Sequence, residues 1–376
     1  MKKGMLFASF IGIFFVLPTS QLDAQILNWT NKANLLKQGR SMGVAVLNGK
    51  IYAVGGYCGP HCDLATVDEY DPASDTWTNK ANMLSTRYAP AAAAVNGKLY
   101  AIGGYASAGG PVVVSATVEE YDPGANAWTS RSGMNDARYA HQAVALNGKI
   151  YALGGQTTGD VPLASVEEYD PALNTWSYKA NMPAARVSFG AAVVNGKIYI
   201  VGGRVNDTPV APVYVYNVTS NSWTTNPSIP TTRETLASAL VNGRIWAMGG
   251  TSSGGPARAT IEEFDPISKV WSSGSDLPTV RNECFAVVIG DTLYAFGGYD
   301  TFTMQAAKIP PVLNIYTAVE LEFLTQTGIV YQLQASPEQN TWTNVGSPIV
   351  GDGSYWSNLY STRGNGRLFF RLQRTQ

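Results

Sequence analysis

Short apolar runs recur in pairs along most of the chain, each run too brief for a helix. Pro90-Ala91-Ala92-Ala93-Ala94-Val95 precedes Leu99-Tyr100-Ala101-Ile102, for example, with Asn96-Gly97 between them. Asn-Gly stands at 48–49, 96–97, 147–148, 195–196 and 242–243. A type I′ turn needs positive φ at both central residues, which Asn and Gly adopt most readily, so each pair predicts a two-residue hairpin. The first strand of each hairpin is rich in small side chains, as suits a strand crowded towards an axis. From Thr317 onward this rhythm is lost. Val319 to Phe323, Val330 to Gln334 and Leu368 to Leu372 alternate as separate strands, with turns at Gly328, Ser336-Pro337, Gly351-Asp352-Gly353 and Gly364-Asn365-Gly366.

The paired runs belong to a longer repeat. Trp29, Trp77, Trp128, Trp176, Trp223 and Trp271 recur near every 48 residues. In phase with them stand Gly55-Gly56, Gly103-Gly104, Gly154-Gly155, Gly202-Gly203, Gly249-Gly250 and Gly297-Gly298. Tyr70-Asp71-Pro72, Tyr121-Asp122-Pro123, Tyr169-Asp170-Pro171, Tyr216-Asn217-Val218 and Phe264-Asp265-Pro266 fall between. This pattern resembles the kelch repeat, which implies four-stranded blades and an all-β, six-bladed kelch β-propeller over residues 25–316. The double glycine would end the second strand where neighbouring backbones approach too closely for a Cβ. Tyr or Phe on the third strand and Trp on the fourth would supply the apolar surface between blades.

The repeat starts with a lone fourth-strand piece, Trp29 to Leu35, and ends with a first and second strand, Phe285 to Ile289 and Leu293 to Phe296. The N-terminal strand is therefore expected to complete the last blade and remove an exposed sheet edge. Val312 to Tyr316 is the expected third strand of that blade. Residues 317–376 form a small β-rich C-terminal module, similar to one found on secreted bacterial proteins.

Composition and charge narrow the function. The chain is 45% hydrophobic and 14% charged, which fits a folded protein, and 38 Gly and 20 Pro fit many tight turns. A formal net charge of −1, with no basic run, excludes any general attraction for nucleic acid. Lys2 and Lys3, the apolar stretch Met5 to Leu17, Pro18 and Ala24 read as a signal peptide over residues 1–24. The expected mature protein is exported to the periplasm, cell envelope or exterior, has no membrane span, and acts as a monomer.

Loops joining second to third strands vary most and share a face with the links between blades, so ligand binding is expected there. Tyr57, Tyr105, Gln156, Arg204, Thr251 and Tyr299 directly follow the double glycines. The same face receives Arg40, Arg87, Arg138, Arg186, Arg233 and Arg281, one per blade by this reading. In kelch proteins such arginines can recognise acidic ligands, so the resemblance makes Arg87, Arg138 and Arg186 candidates. Architecture offers another reading, in which they bond carbonyls or pair with Glu69, Glu120, Glu168 and Glu263. Tyr88, Tyr139, His141, Glu234, Asn282 and Glu283 follow the arginines. Such Tyr, Arg and carboxylate groups around one pocket suit a carbohydrate or a protein ligand.

The residues for most chemistries are missing. His61 and His141 have no ligand spacing around them, so no metal and no cofactor is expected. Cys58 and Cys62 are expected to form a disulfide in an exported protein, and Cys284 to be buried and inert. No phosphate loop or nucleophile motif occurs. The expected protein is a non-catalytic binder. The alternative, implied by similarity to periplasmic sialic acid mutarotases, is cofactor-independent mutarotation by Glu234 or Glu283 beside Arg233 or Arg281.

Overall fold

The computed structural model describes residues 27–37, 40–57, 59, 63–106, 113–253, 255–299, 301 and 303–309, and in the C-terminal part 318–324, 327–328, 330–336, 343–344, 347–350, 352, 355–361 and 369–374. The signal stretch, the Cys58–Cys62 pairing and Val312–Tyr316 lie outside the described residues. Among the described residues there is no helix, and none long and apolar enough to cross a membrane. The chain divides into two compact units, Met1–Pro310 and Pro311–Gln376.

The first unit is a six-bladed β-propeller, each blade a four-stranded antiparallel sheet. Blade 1 runs outward as Gly43–Leu47, Lys50–Val54, Val67–Asp71 and Thr76–Lys80. Blades 2 to 5 repeat this order and begin at Ala91, Gln142, Gly190 and Ala237. Blade 6 consists of Phe285–Ile289, Thr292–Phe296, Met304–Lys308 and, from the start of the chain, Trp29–Lys32. Trp29 lies opposite Ala307 and Lys32 opposite Met304, so the N-terminal strand does close the ring. Its neighbour is Met304–Lys308, which corrects the expectation for Val312–Tyr316. The segment Met-Gln-Ala-Ala-Lys carries neither the aromatic residue nor the Asp-Pro that marks the other third strands.

Each repeated residue has a packing reason. Register aligns Val46, Ile51, Tyr70 and Trp77 in one row across blade 1. The Tyr70 and Trp77 rings stack at 5.1 Å between centroids, and Phe264–Trp271 in blade 5 repeats that distance. Second-strand aromatics then reach the next blade, as Tyr100 meets Tyr169 at 5.8 Å. A polar clamp adds to this apolar contact. Asn126 Oδ1 accepts from Tyr121 Oη at 2.7 Å and from the Ala81 N–H of the preceding blade at 3.0 Å. Trp128 Nε1 donates to the Ala81 carbonyl at 2.9 Å.

The turns behave as their sequences require. At Asn48-Gly49 φ is 51° and 73°, as a type I′ turn demands. The double glycine is needed twice over: Gly55 has φ 65°, and a Cβ there would sit 2.6 Å from the Arg87 carbonyl oxygen.

In the second unit, Ala318–Leu324 pairs with Tyr355–Ser361, and Val330–Ser336 pairs with Phe369–Arg374, Thr343–Asn344 and Ile349–Val350. All these pairings are antiparallel.

Candidate functional site

The alternation of strand directions brings the second-to-third loops and the links between blades to one face. There they join as a ring of isolated bridges: Arg40 with Tyr57, Tyr88 with Tyr105, Tyr139 with Gln156, Val187 with Arg204 and Glu234 with Thr251. In the sixth position the Tyr299 N–H donates to the Asn282 carbonyl at 3.0 Å. The residues after the double glycines are therefore held at the rim by backbone bonds, and their side chains are free to differ.

This ring changes the reading of the arginines. Counted from the bridges, Arg40 shares its phase with Tyr88, Tyr139, Val187, Glu234 and Asn282, and Gly39 stands in phase with the other arginines. There are thus five framework arginines, and Arg40 is a rim residue. Its guanidinium lies between two tyrosines, 4.4 Å from the Tyr57 ring centroid and 4.2 Å from that of Tyr299.

The five others are buried in the framework, which corrects the expectation that Arg87, Arg138 and Arg186 meet ligand or that Arg233 and Arg281 act in catalysis. All are at most 1% exposed. Arg138 donates to the Gly154 carbonyl at 2.9 Å, the Ser165 carbonyl at 3.0 Å and Glu167 at 2.7 Å. Arg87 clasps Gly103, Thr117 and Glu119 in the same way, and Arg233 clasps Gly249, Thr260 and Glu262. The acidic partners therefore precede the glutamates suggested by sequence. Glu69, Glu120 and Glu168 instead pair with Lys50 and Lys80, Arg131, and Lys179.

Two framework arginines pair with no carboxylate among the described residues. Arg186 meets the Pro212 carbonyl and the Tyr214 ring, and burial pulls its pKa down to about 10. Arg281 meets Gln305 at 3.2 Å and is also lowered by burial.

Just inside the rim runs a second ring. Ser41, Ala89, Ala140, Ser188, Thr235 and Glu283 all have φ between 46° and 53°, a region that ordinary side chains avoid at a cost of about 1–3 kcal/mol each. Five backbone bonds link the six in a chain: Ala89 N–H to the Ser41 carbonyl, Ala140 to Ala89, Ser188 to Ala140, Thr235 to Ser188 and Glu283 to Thr235. At the seam between blades 6 and 1, Ser41 Oγ donates to Glu283 Oε2 at 2.6 Å. The strain thus sits around the mouth of the axial channel.

That mouth opens into a cavity of about 890 Å³ whose wall includes Tyr88, Tyr105, Tyr139, Gln156, Arg204, Glu234 and Glu283. One side is aromatic. Tyr57 meets Tyr88 edge-on at 5.5 Å, Tyr88 meets Tyr105 at 4.5 Å, and Tyr105 meets Tyr139 at 4.8 Å. The Tyr139 hydroxyl donates to Asp160. The other side is charged. Arg204 bonds Glu234 and Asp207, each at 3.0 Å. Burial raises the Glu234 pKa against the opposing pull of Arg204, and Asp207 and Glu283 raise it further.

His141 lines the wall but is 3% exposed and held neutral, mainly by burial and then by Arg138 and Arg87. Cys284 is also buried, and its thiol is pushed up by that burial. Of the sequence candidates, Tyr88, Tyr105, Tyr139, Gln156, Arg204, Glu234 and Glu283 share the cavity, and Tyr57 and Tyr299 flank it at the rim. Sequence reasoning missed Asp160, Asp207 and Ser41. Asp160 and Asp207 occupy loops without a repeat signature, and Ser41 occupies a link position whose residue type varies from blade to blade.

The chain belongs to the kelch-repeat family. The model described as the KLHDC2/KLHL20/DRC7 kelch-repeats domain matches residues 90–298, and a kelch motif matches residues 39–84. Comparison with curated proteins finds no match. The solved structure of YjhT is similar in fold, with a TM-score of 0.65 at 17% identity over 76% of this chain and 98% of that one.

Proposed function

We propose that the chain is an exported, non-catalytic binding propeller whose axial cavity takes a carbohydrate. The observation that carries this reading is the division of one cavity into a continuous tyrosine side and a carboxylate side. Sugar rings offer apolar C–H faces that stack on tyrosines, and hydroxyls at their edges that bond carboxylates. A protein ligand would use the same rim, but the concave cavity favours a short, compact chain of rings.

The alternative chemistry keeps one supporting observation. Glu234, with its raised pKa, sits beside Arg204 in the cavity, so an acid/base group and an arginine do converge there. Arg204 replaces Arg233 and Arg281 in that scheme.

A panel of immobilised oligosaccharides and peptides tests both readings. The binder should retain an oligosaccharide, and Tyr105→Ala should weaken retention about tenfold, the loss expected for one stacked ring. Retention of peptides alone would contradict the carbohydrate reading. NMR of the anomers of a retained sugar should show exchange no faster than in buffer, and acceleration would favour mutarotation instead.

A further inference from the structure

We propose that the glycan bound here carries protonated amines, a ligand class that the cavity's charge and its tyrosines select together. This inference rests on the carbohydrate reading and narrows it. Four carboxylates line the cavity, Asp160, Asp207, Glu234 and Glu283, against one guanidinium, Arg204, so the formal charge of the wall is −4 + 1 = −3. Arg204 is already committed to Glu234 and Asp207. Among the described residues, the side-chain partners of Glu283 and Asp160 are neutral: Ser41 for the first, and Tyr139 and Gln156 for the second.

The aromatic side points to the same class independently. The Tyr88–Tyr105–Tyr139 ladder runs between the two carboxylates: Glu283 lies close enough to act on Tyr88, and Asp160 bonds Tyr139. Tyrosine faces attract cations through their quadrupole, most strongly where water is scarce. The rim already uses its tyrosines in this way, since Arg40 lies between Tyr57 and Tyr299. An anionic sugar entering the cavity would meet a wall of formal charge −3, which Arg40 at the rim, close enough to act on Tyr88, reduces to −2. An amino sugar would place its ammonium near a carboxylate and its ring on a tyrosine.

Isothermal titration of the full mature chain with three probes tests this proposal: a glucosamine hexasaccharide, its fully N-acetylated counterpart and hexalysine. The free-amine hexasaccharide should bind at least tenfold tighter than the acetylated one, and 0.5 M salt should remove much of the difference. With a formal net charge of −1 for the whole sequence and −2 without residues 1–24 (which hold Lys2, Lys3 and Asp23), general attraction for a polycation is small, so a large preference reports the site. Glu283→Gln and Asp160→Asn should each weaken the amine ligand about tenfold with an unchanged melting temperature, and leave the acetylated ligand unaffected. Equal affinity for the two sugars would overturn the amine inference and leave the carbohydrate reading standing. Binding of hexalysine alone would uphold cation recognition and overturn the carbohydrate reading. Binding of none of the three would overturn both.

Discussion

Arg138→Met is expected to lower the stability of the propeller by about 3–5 kcal/mol, because it leaves a buried carboxylate without its counter-charge. Glu167 is fully buried and would keep only the Asn135 and Asp136 amides and the Asn135 side chain as partners. The Gly154 carbonyl would lose the arginine donor as well, and the Ser165 carbonyl would keep the Gly154 N–H but lose the arginine. Arg138→Met combined with Glu167→Leu should recover much of the loss, since removing both members spares the desolvation cost. Arg40→Met should change stability by less than about 1 kcal/mol, because a partly exposed cation–π contact is all it removes. Urea unfolding of the three variants checks this. Equal losses for Arg40→Met and Arg138→Met would mean that the two arginines share one role, contrary to the phase assigned here.

Removal of residues 25–36 should affect the whole ring. The segment contributes the outer strand of blade 6, and Leu27 and Leu35 are each only 6% exposed. Burial of these two leucines and Trp29 stabilises the fold by about 1.5–3 kcal/mol per side chain. At about 2 °C per kcal/mol for a domain of this size, the melting temperature should fall by roughly 10 °C or more. The shortened chain should also self-associate through the exposed edge of Met304–Lys308. Calorimetry that finds an unchanged melting temperature would rule out closure by this strand. The joint between blades 5 and 6 lacks one bond of the repeat: Trp29 Nε1 finds no partner among the described residues, whereas Trp77, Trp128, Trp176, Trp223 and Trp271 each bond the preceding blade.

The blades were legible in the sequence because each repeated residue answers a local demand: positive φ at Asn-Gly, close approach at the double glycine, inter-blade area at Tyr and Trp. The third strand of blade 6 was not legible. Its outer partner comes from the other end of the chain, so no local turn or aromatic pair marks it. Arg40 was misread for a related reason. It lies one position out of phase with the framework arginines, and only the bridge to Tyr57 reveals that phase.

The arginines also show how the repeat hides its own exceptions. In the sequence Gly39 stands in phase with the arginines, and in blade 1 the residue in phase with Glu119, Glu167 and Glu262 is Asp68, which Asn79 bonds and whose pKa burial raises. Where Tyr214 or Gln305 replaces the glutamate, the arginine meets a ring or an amide. The cavity wall was partly legible. Its tyrosines and glutamates follow repeat landmarks, but Asp160 and Asp207 come from short hairpins of individual loops.

The central claim, that ligand enters the axial cavity on the face of the double-glycine loops, is tested most directly by amide hydrogen exchange with and without saturating free-amine hexasaccharide. Exchange should slow in residues 88–91, 139–143, 234–238 and 282–287, which line that cavity. The Asn-Gly turns at 48–49, 96–97 and 147–148, at the other end of the inner strands, should exchange at unchanged rates. Protection confined to those turns, or to the C-terminal unit, would contradict the account.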